Sequence, residues 1–315
     1  RTMMDERSPT TRRRFLSTVA ATTAAGIAGC SGSGRNRAGE VDLLSAGSLS
    51  IILGNKIGSS FEEETGTQFK GEFHGSNAVM RFITSGQKSP DVVASADAYL
   101  LRDELQPDYT TWDVVFASNA VGITYNPETE VGQLLENGTP WYQALSQAES
   151  EIAMSDPDLD PLGYRTVQMF ELAEEYYGVD GLAQRLTDKL EVDPQEAHML
   201  AGIETGDRAA AVCYKNMAVD HGLSFVSLPD ELNFSNPAYA DRYAQATYTT
   251  DEGTTIKGTP VLYNATVLES ADHPENGRRF LRFLLRNQDV LRENGLIVDD
   301  RFPRTNGDIP TDVLP

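Results

Sequence analysis

Four places in the 315-residue chain put a polar side chain where an apolar run gives way to an amphipathic one. They are Ser48 in Ala46-Gly47-Ser48-Leu49-Ser50, Ser76 in His74-Gly75-Ser76-Asn77, Asp160 before Pro161, and Glu196 three residues after Asp193-Pro194. Each reads as a strand ending in a Ser, Gly or Asp-Pro turn that opens a helix. Helix N-termini present unpaired N–H groups and about half a positive charge, so four converging ends would hold an oxyanion without any Lys or Arg. Each also has a purely local explanation. Ser48 and Ser76 suit N-caps, Asp160 and Asp193 precede proline at the first helical position, and Glu196 falls at the capping-box position after Asp193. Only the four together point to an anion.

The elements that must position them follow an α/β alternation from Val41 onward. Val41–Leu44 reads as a strand leading to a helix that ends near Gly66, Phe69–Phe73 as a second strand leading to a helix that stops at Gly86, and Asp91–Asp97 as a third strand. Val114–Tyr125 reads as one long strand interrupted near Ser118-Asn119, and Thr259–Leu268 as another, both of a length that crosses between domains. Between them lie a strand from Glu151, a long helix from Asp160-Pro161 to Gly178, a helix opened by Asp193–Glu196 and ended by Gly206, and the buried strand Ala209–Tyr214. Pro274–Asn294 reads as an amphipathic helix pair, and no internal repeat is visible. In α/β folds ligands bind at the carboxyl ends of strands, where these four turns fall.

Composition removes several function classes. The 47 acids against 26 bases give a net charge of −21, which repels phosphate backbones and excludes a nucleic-acid binder. Only six of the bases are Lys, and this acid-rich, Lys-poor balance is that of proteins that stay hydrated in concentrated salt. The length suggests about two domains of ~150 residues, and 40% hydrophobic residues suffice for real cores rather than a disordered acidic chain. Two Cys and four scattered His (His74, His198, His221, His273) supply no disulfide framework, Cys-based zinc site or HExxH pair. Three N-glycosylation triplets begin at Asn137, Asn233 and Asn264.

The first thirty residues read as an address. Thr11-Arg12-Arg13-Arg14-Phe15-Leu16, the mild apolar run to Ala28, and Ile27-Ala28-Gly29-Cys30 resemble a twin-arginine export signal ending in a lipobox. From Phe15 the run is about 14 residues, short of the ~20 needed to cross a bilayer. Cys30 is then the expected lipid-bearing terminus, and 31–40 a flexible tether. Residues 1–30 hold five Arg against two acids, so the remainder carries −24.

Ala46–Ser50, His74–Asn77, Ser95-Ala96-Asp97, Asp156-Pro-Asp-Leu-Asp160-Pro-Leu-Gly163-Tyr164-Arg165, Val212–Gly222 and Glu293-Asn294-Gly295 occur in this order. Together they resemble the archaeal-type tungstate/molybdate-binding proteins of ABC importers, over roughly 41–300, with the Asp-Pro-x-Gly-Tyr-Arg segment the most specific part. The resemblance implies a two-lobed periplasmic-binding-protein-like (type II) fold that closes on one oxyanion and delivers it to a membrane permease. It implies that Ser48 and Ser76 contribute hydroxyl and amide contacts. Asp160 and Glu196 would be the carboxylates that complete six-fold coordination of the metal centre, and Tyr214 the donor to an oxo group. Glu204 competes with Glu196, but it sits at the carbonyl end of its helix, where an anion is disfavoured. Cys213, where the family pattern suggests an acidic or apolar residue, reads as a small buried strand residue.

Two carboxylates beside a dianion repel it by roughly 1 kcal/mol per unit-charge pair at 4 Å even in water, and by several times that in a closed cleft. Bonded to tungsten or molybdenum they become ligands, because these large high-valent centres rise from four to six ligands and sulfur in sulfate cannot. Such a pair therefore selects tungstate or molybdate against sulfate.

The expected protein is a monomeric, extracellular, lipid-anchored solute-binding protein and not an enzyme. It has no cofactor beyond its ligand, and it has partners in a permease and a cytosolic ATPase, since the chain has no P-loop. Lobe I is expected from 41–117 plus 262–315, lobe II from 118–261, with a ligand cleft between them and a hinge in the two crossing strands near Ser118 and Val261. Rival readings are a receptor for sulfate, thiosulfate or phosphate, a secreted hydrolase using Asp160 and Glu196 as an acid/base pair, and a surface adhesion module. The hydrolase reading lacks a nucleophile elbow, a metal cluster and a Ser-His-Asp set.

Overall fold

The computed structural model describes residues 39–315. The export segment 1–30 with Cys30, and tether residues 31–38, lie outside the described residues. Among the described residues no helix is long and apolar enough to cross a membrane.

The chain first builds β1 (Glu40–Ala46), a helical stretch from Gly47 that winds as a π-helix over Ser50–Gly58, then α1 (Ser59–Thr65) and β2 (Gln68–His74). It continues with α2 (Ser76–Thr84), β3 (Val92–Ser95), α3 (Ala98–Leu105) and β4 (Trp112–Ser118). A second group follows: β5 (Val121–Tyr125), α4 (Glu130–Glu136), α5 (Trp141–Gln147), β6 (Ile152–Ser155), α6 (Pro161–Tyr177) and α7 (Leu182–Lys189). Next come β7 (Glu191–Asp193), α8 (Glu196–Thr205), β8 (Ala210–Tyr214), α9 (Lys215–Asp220) and β9 (Ser224–Ser227). After α10 (Ala240–Tyr243) and the hairpin β10 (Thr247–Thr249) and β11 (Thr255–Lys257), the chain returns through β12 (Leu262–Val267), α11 (Pro274–Arg286), α12 (Gln288–Glu293) and β13 (Arg304–Gly307).

Two sheets result. The first has the order β13-β4-β12-β3-β1-β2, with β1 parallel to β2 and β3 and with β12 antiparallel to β3 and β4. The second has the order β7-β6-β8-β5-β9, with β6 parallel to β7 and β8. β3, β4, β6, β8 and β12 are buried along their whole length, because helices cover both faces, and so they read as continuous apolar runs. α11 turns Phe280, Leu281, Leu284 and Leu285 into the core, where Phe280 meets Phe61 edge-on at 5.4 Å.

The reading of Val114–Tyr125 as one strand is corrected: β4 ends at Ser118 in the first sheet, and β5 begins at Val121 in the second. The polar pair Ser118-Asn119 is the crossover itself. Ser118 exchanges backbone hydrogen bonds of 2.8 Å with Ile297, so its amide and carbonyl leave the β4 ladder there. Just beyond the crossovers, Val121 N–H donates to the Asn233 carbonyl at 2.9 Å, and Val261 N–H donates to the Phe234 carbonyl at 2.8 Å. Phe234, fully buried, holds φ at 60°, which non-glycine residues rarely adopt.

Candidate functional site

β6 delivers the chain to an Asp156–Leu159 turn, and Asp160 then caps α6. Its Oδ1 accepts from the Gly163 N–H at 2.9 Å, with Pro161 in the first helical turn. The expected cap of α8 is corrected. α8 starts at Glu196 after Gln195, and the Asp193 carboxylate instead accepts from the Gln195 N–H at 2.9 Å and from Arg208 Nη1 at 2.7 Å. Glu196 is thus the first residue of α8, free of a capping-box task. It is half-buried, and its Oε2 is enclosed with no hydrogen-bond partner.

The first sheet brings two turns up to these carboxylates. Gly47, after β1, lies so near Glu196 that a Cβ there would stand 2.6 Å from Oε2. Gly75, after β2, would put a Cβ 2.4 Å from the Leu159 carbonyl oxygen and 2.8 Å from Asp160 Cβ. The absence of a side chain at both glycines is what permits the approach. At the start of α2 the amides of Asn77 and Ala78 donate to the Leu159 carbonyl at 3.1 and 3.3 Å. Gly47, Ser48, His74, Gly75, Asp160 and Glu196 line one cleft of about 460 Å³ between the two sheets. A larger cavity of about 570 Å³ opens elsewhere on the seam, lined in part by Tyr99, Asp103 and Lys257, and contains neither Asp160 nor Glu196.

Burial pushes the Asp160 carboxyl up to about 7, opposed by the N–H groups of Gly163 and Leu162 and reinforced by Asp156. Burial, and then the charge of Asp160, hold the Glu196 carboxyl well above the usual carboxylate range. The two acids therefore feel each other in a poorly hydrated place. A site of this kind favours a ligand that takes up carboxylate charge directly.

The remaining expected residues have different placements. Ser48 Oγ does not cap a helix; it meets Tyr263 Oη at 3.1 Å, while Asn216 Nδ2 donates to the Ser48 carbonyl at 2.7 Å. Ser76 does not act as an N-cap either, for Gly75 occupies that position of α2. The Ser76 Oγ accepts from the Ala96 amide at 3.0 Å, fully buried behind the cleft wall. Tyr214 ends β8, fully buried, and its Oη accepts from Arg165 Nη1 at 2.8 Å. Glu204 is exposed at the far end of α8 and pairs with His221 at 2.6 Å. Cys213 is fully buried in β8, and burial followed by the Glu196 charge pushes its thiol up.

The expectation of a site without Lys or Arg is corrected as well. Arg165 is fully buried on α6, close enough for its charge to act on Asp160. It was visible only as the last residue of the Asp-Pro-x-Gly-Tyr-Arg segment. Its signal was a guanidinium at a helix position flanked by core residues such as Leu162 and Met169.

A family model for bacterial extracellular solute-binding proteins matches residues 41–297. An uncharacterized solute-binding protein of Halobacterium salinarum is 43% identical over 307 residues, covering 96% of this chain and 97% of that one. The molybdate/tungstate-binding protein WtpA of Pyrococcus abyssi is 31% identical over 304 residues, covering 85% and 88%. Among solved structures, the periplasmic molybdate-binding protein of Azotobacter vinelandii superposes with a TM-score of 0.59 at 13% identity, over 82% of this chain and 100% of that one. That likeness establishes the two-lobed periplasmic-binding fold.

Proposed function

The chain belongs to the bacterial extracellular solute-binding proteins, and from that membership we propose that it captures tungstate or molybdate outside the cell and hands it to an ABC importer. The observation that carries the choice of ligand is the Asp160–Glu196 pair. Two carboxylates with raised pKa values face Gly47, Ser48 and Gly75 across one cleft, and an enclosed Glu196 oxygen has no hydrogen-bond partner. A sulfate ion would leave that oxygen unpaired and repelled. A tungsten or molybdenum centre bonds it. Ser48, and the turn of Ser76 through its backbone, supply the neutral donors on the side of the first sheet, and Tyr214 the hydroxyl from the second.

The protein works as a monomer without catalytic turnover, held on the outer face of the membrane by a lipid on Cys30. A permease and its cytosolic ATPase are separate chains. Calorimetry of the purified protein tests the reading. Tungstate and molybdate bind one to one and tightly, and sulfate binds far more weakly. Equal or stronger sulfate binding would overturn it in favour of a receptor for an ordinary tetrahedral oxyanion.

A further inference from the structure

Arg165 belongs to α6 and so to the second sheet's side of the cleft, yet three of its neighbours straddle the seam. Its Nη1 donates to the Ala96 carbonyl at 2.9 Å, on the first side, and to Tyr214 Oη at 2.8 Å, on its own. Its Nη2 stands 3.2 Å from Asp97 Oδ2, to which the adjacent Tyr164 Oη donates at 2.8 Å. The other Asp97 oxygen accepts from the Tyr99 and Leu100 amides at the start of α3 and so fixes the carboxylate to the first side. All four side chains are at least nine-tenths buried.

We propose that Asp97, Tyr164 and Arg165 form a clasp between the lobes that is completed only around the bound oxyanion and sets how long the ligand stays. The proposal rests on the oxyanion reading. Burying an ion pair costs hydration that its mutual attraction only roughly repays, and this pair is incompletely satisfied. Arg165 Nε and Nη2 are enclosed without an aligned hydrogen-bond acceptor, so the clasp alone closes with little net gain. A dianion at Asp160 and Glu196 adds a charge that the buried guanidinium attracts, and this tips the balance toward closure. Arg165 is here a positioning residue. It holds the Tyr214 hydroxyl and the lobe edge in place, and the ligand's contacts belong to other groups.

The test compares the unsubstituted protein with Asp97→Asn, which keeps an α3 cap but loses the charge, and with Tyr164→Phe, which removes one hydrogen bond. Tungstate association and dissociation rates are measured together with the radius of gyration by X-ray scattering, with and without tungstate. The expected result is a dissociation rate raised about tenfold or more for Asp97→Asn and less for Tyr164→Phe, association within about twofold, and a smaller compaction on loading. Unchanged dissociation and full compaction in both variants, even with lowered melting temperatures, would overturn the clasp alone. No tungstate binding by the unsubstituted protein would overturn the clasp together with the oxyanion reading.

Discussion

Gly47 and Glu196 meet so closely that a methyl group on Gly47 would stand 2.6 Å from the enclosed Glu196 Oε2. The obstacle there is the end of a flexible side chain, so Gly47→Ala displaces the carboxylate and leaves the fold intact. We expect at least a tenfold loss of tungstate affinity, about 1.4 kcal/mol, with the melting temperature nearly unchanged. Gly75 differs, because the group in its way is the backbone carbonyl of Leu159 at 2.4 Å. Gly75→Ala should keep the two sides apart, and scattering should show a protein that no longer compacts with tungstate.

Asp160→Asn and Glu196→Gln separate coordination from capping. Asn is as good an N-cap as Asp, and Glu196 caps nothing. Each variant should lose about a hundredfold or more in tungstate affinity, ~2.7 kcal/mol, with little change in thermal stability, as read by calorimetry and by a melting curve. A large drop in stability with unchanged affinity would return both residues to structural roles.

Titration supplies a third check. The Asp160 pKa is raised in the folded protein, from 3.8 to about 7. Its contribution is therefore fully present below about pH 4 and is lost as pH rises toward and through 7. The stability of the empty protein relative to Asp160→Asn should fall across that window, by up to roughly 4 kcal/mol at 1.4 kcal/mol per unit. Melting curves of both proteins at pH 5 and pH 8 measure it, and a difference that grows with pH in favour of the unsubstituted protein would contradict the assignment. Bound tungstate should remove most of the dependence, because the metal centre takes up the charge.

Of the three glycosylation triplets only Asn137 is exposed. Asn264 is fully buried, with its Nδ2 donating to Asp113 at 3.0 Å, and Asn233 is buried as well. Peptide mapping of protein from its native host should find any N-glycan on Asn137 and none on the other two.

The sheet order rests on features that adjacent residues carry. Apolar runs gave the strands, Gly66 and Gly178 marked helix ends, and the polar Ser118-Asn119 pair marked the crossover even though it was taken as an interruption of one strand. What could not be read is what depends on a partner distant in the chain. Asp193 looks like a cap before Pro194 until Arg208 arrives from the start of β8 and takes its carboxylate. The hydroxyl of Ser76 looks like a cap until the Ala96 amide, twenty residues on, claims it. Arg165 sat in plain view within a quoted motif. Its burial follows from Asp97, Ala96 and Tyr214 converging on it, and no local pattern encodes that meeting.

The backbone of Asn233-Phe234 receives both crossovers, Val121 on one carbonyl and Val261 on the next. Two ropes tied to adjacent pegs cannot swing separately, so the halves of the molecule lose the freedom to twist or slide and keep one rotation. A left-handed Phe234 in the core holds the pegs at that angle. Movement along a single coordinate means that Glu196 reaching Gly47, Leu159 reaching α2 and Arg165 reaching Asp97 are the same event seen at three points. Partial docking, with one contact made and the others open, is not a resting place that this geometry provides.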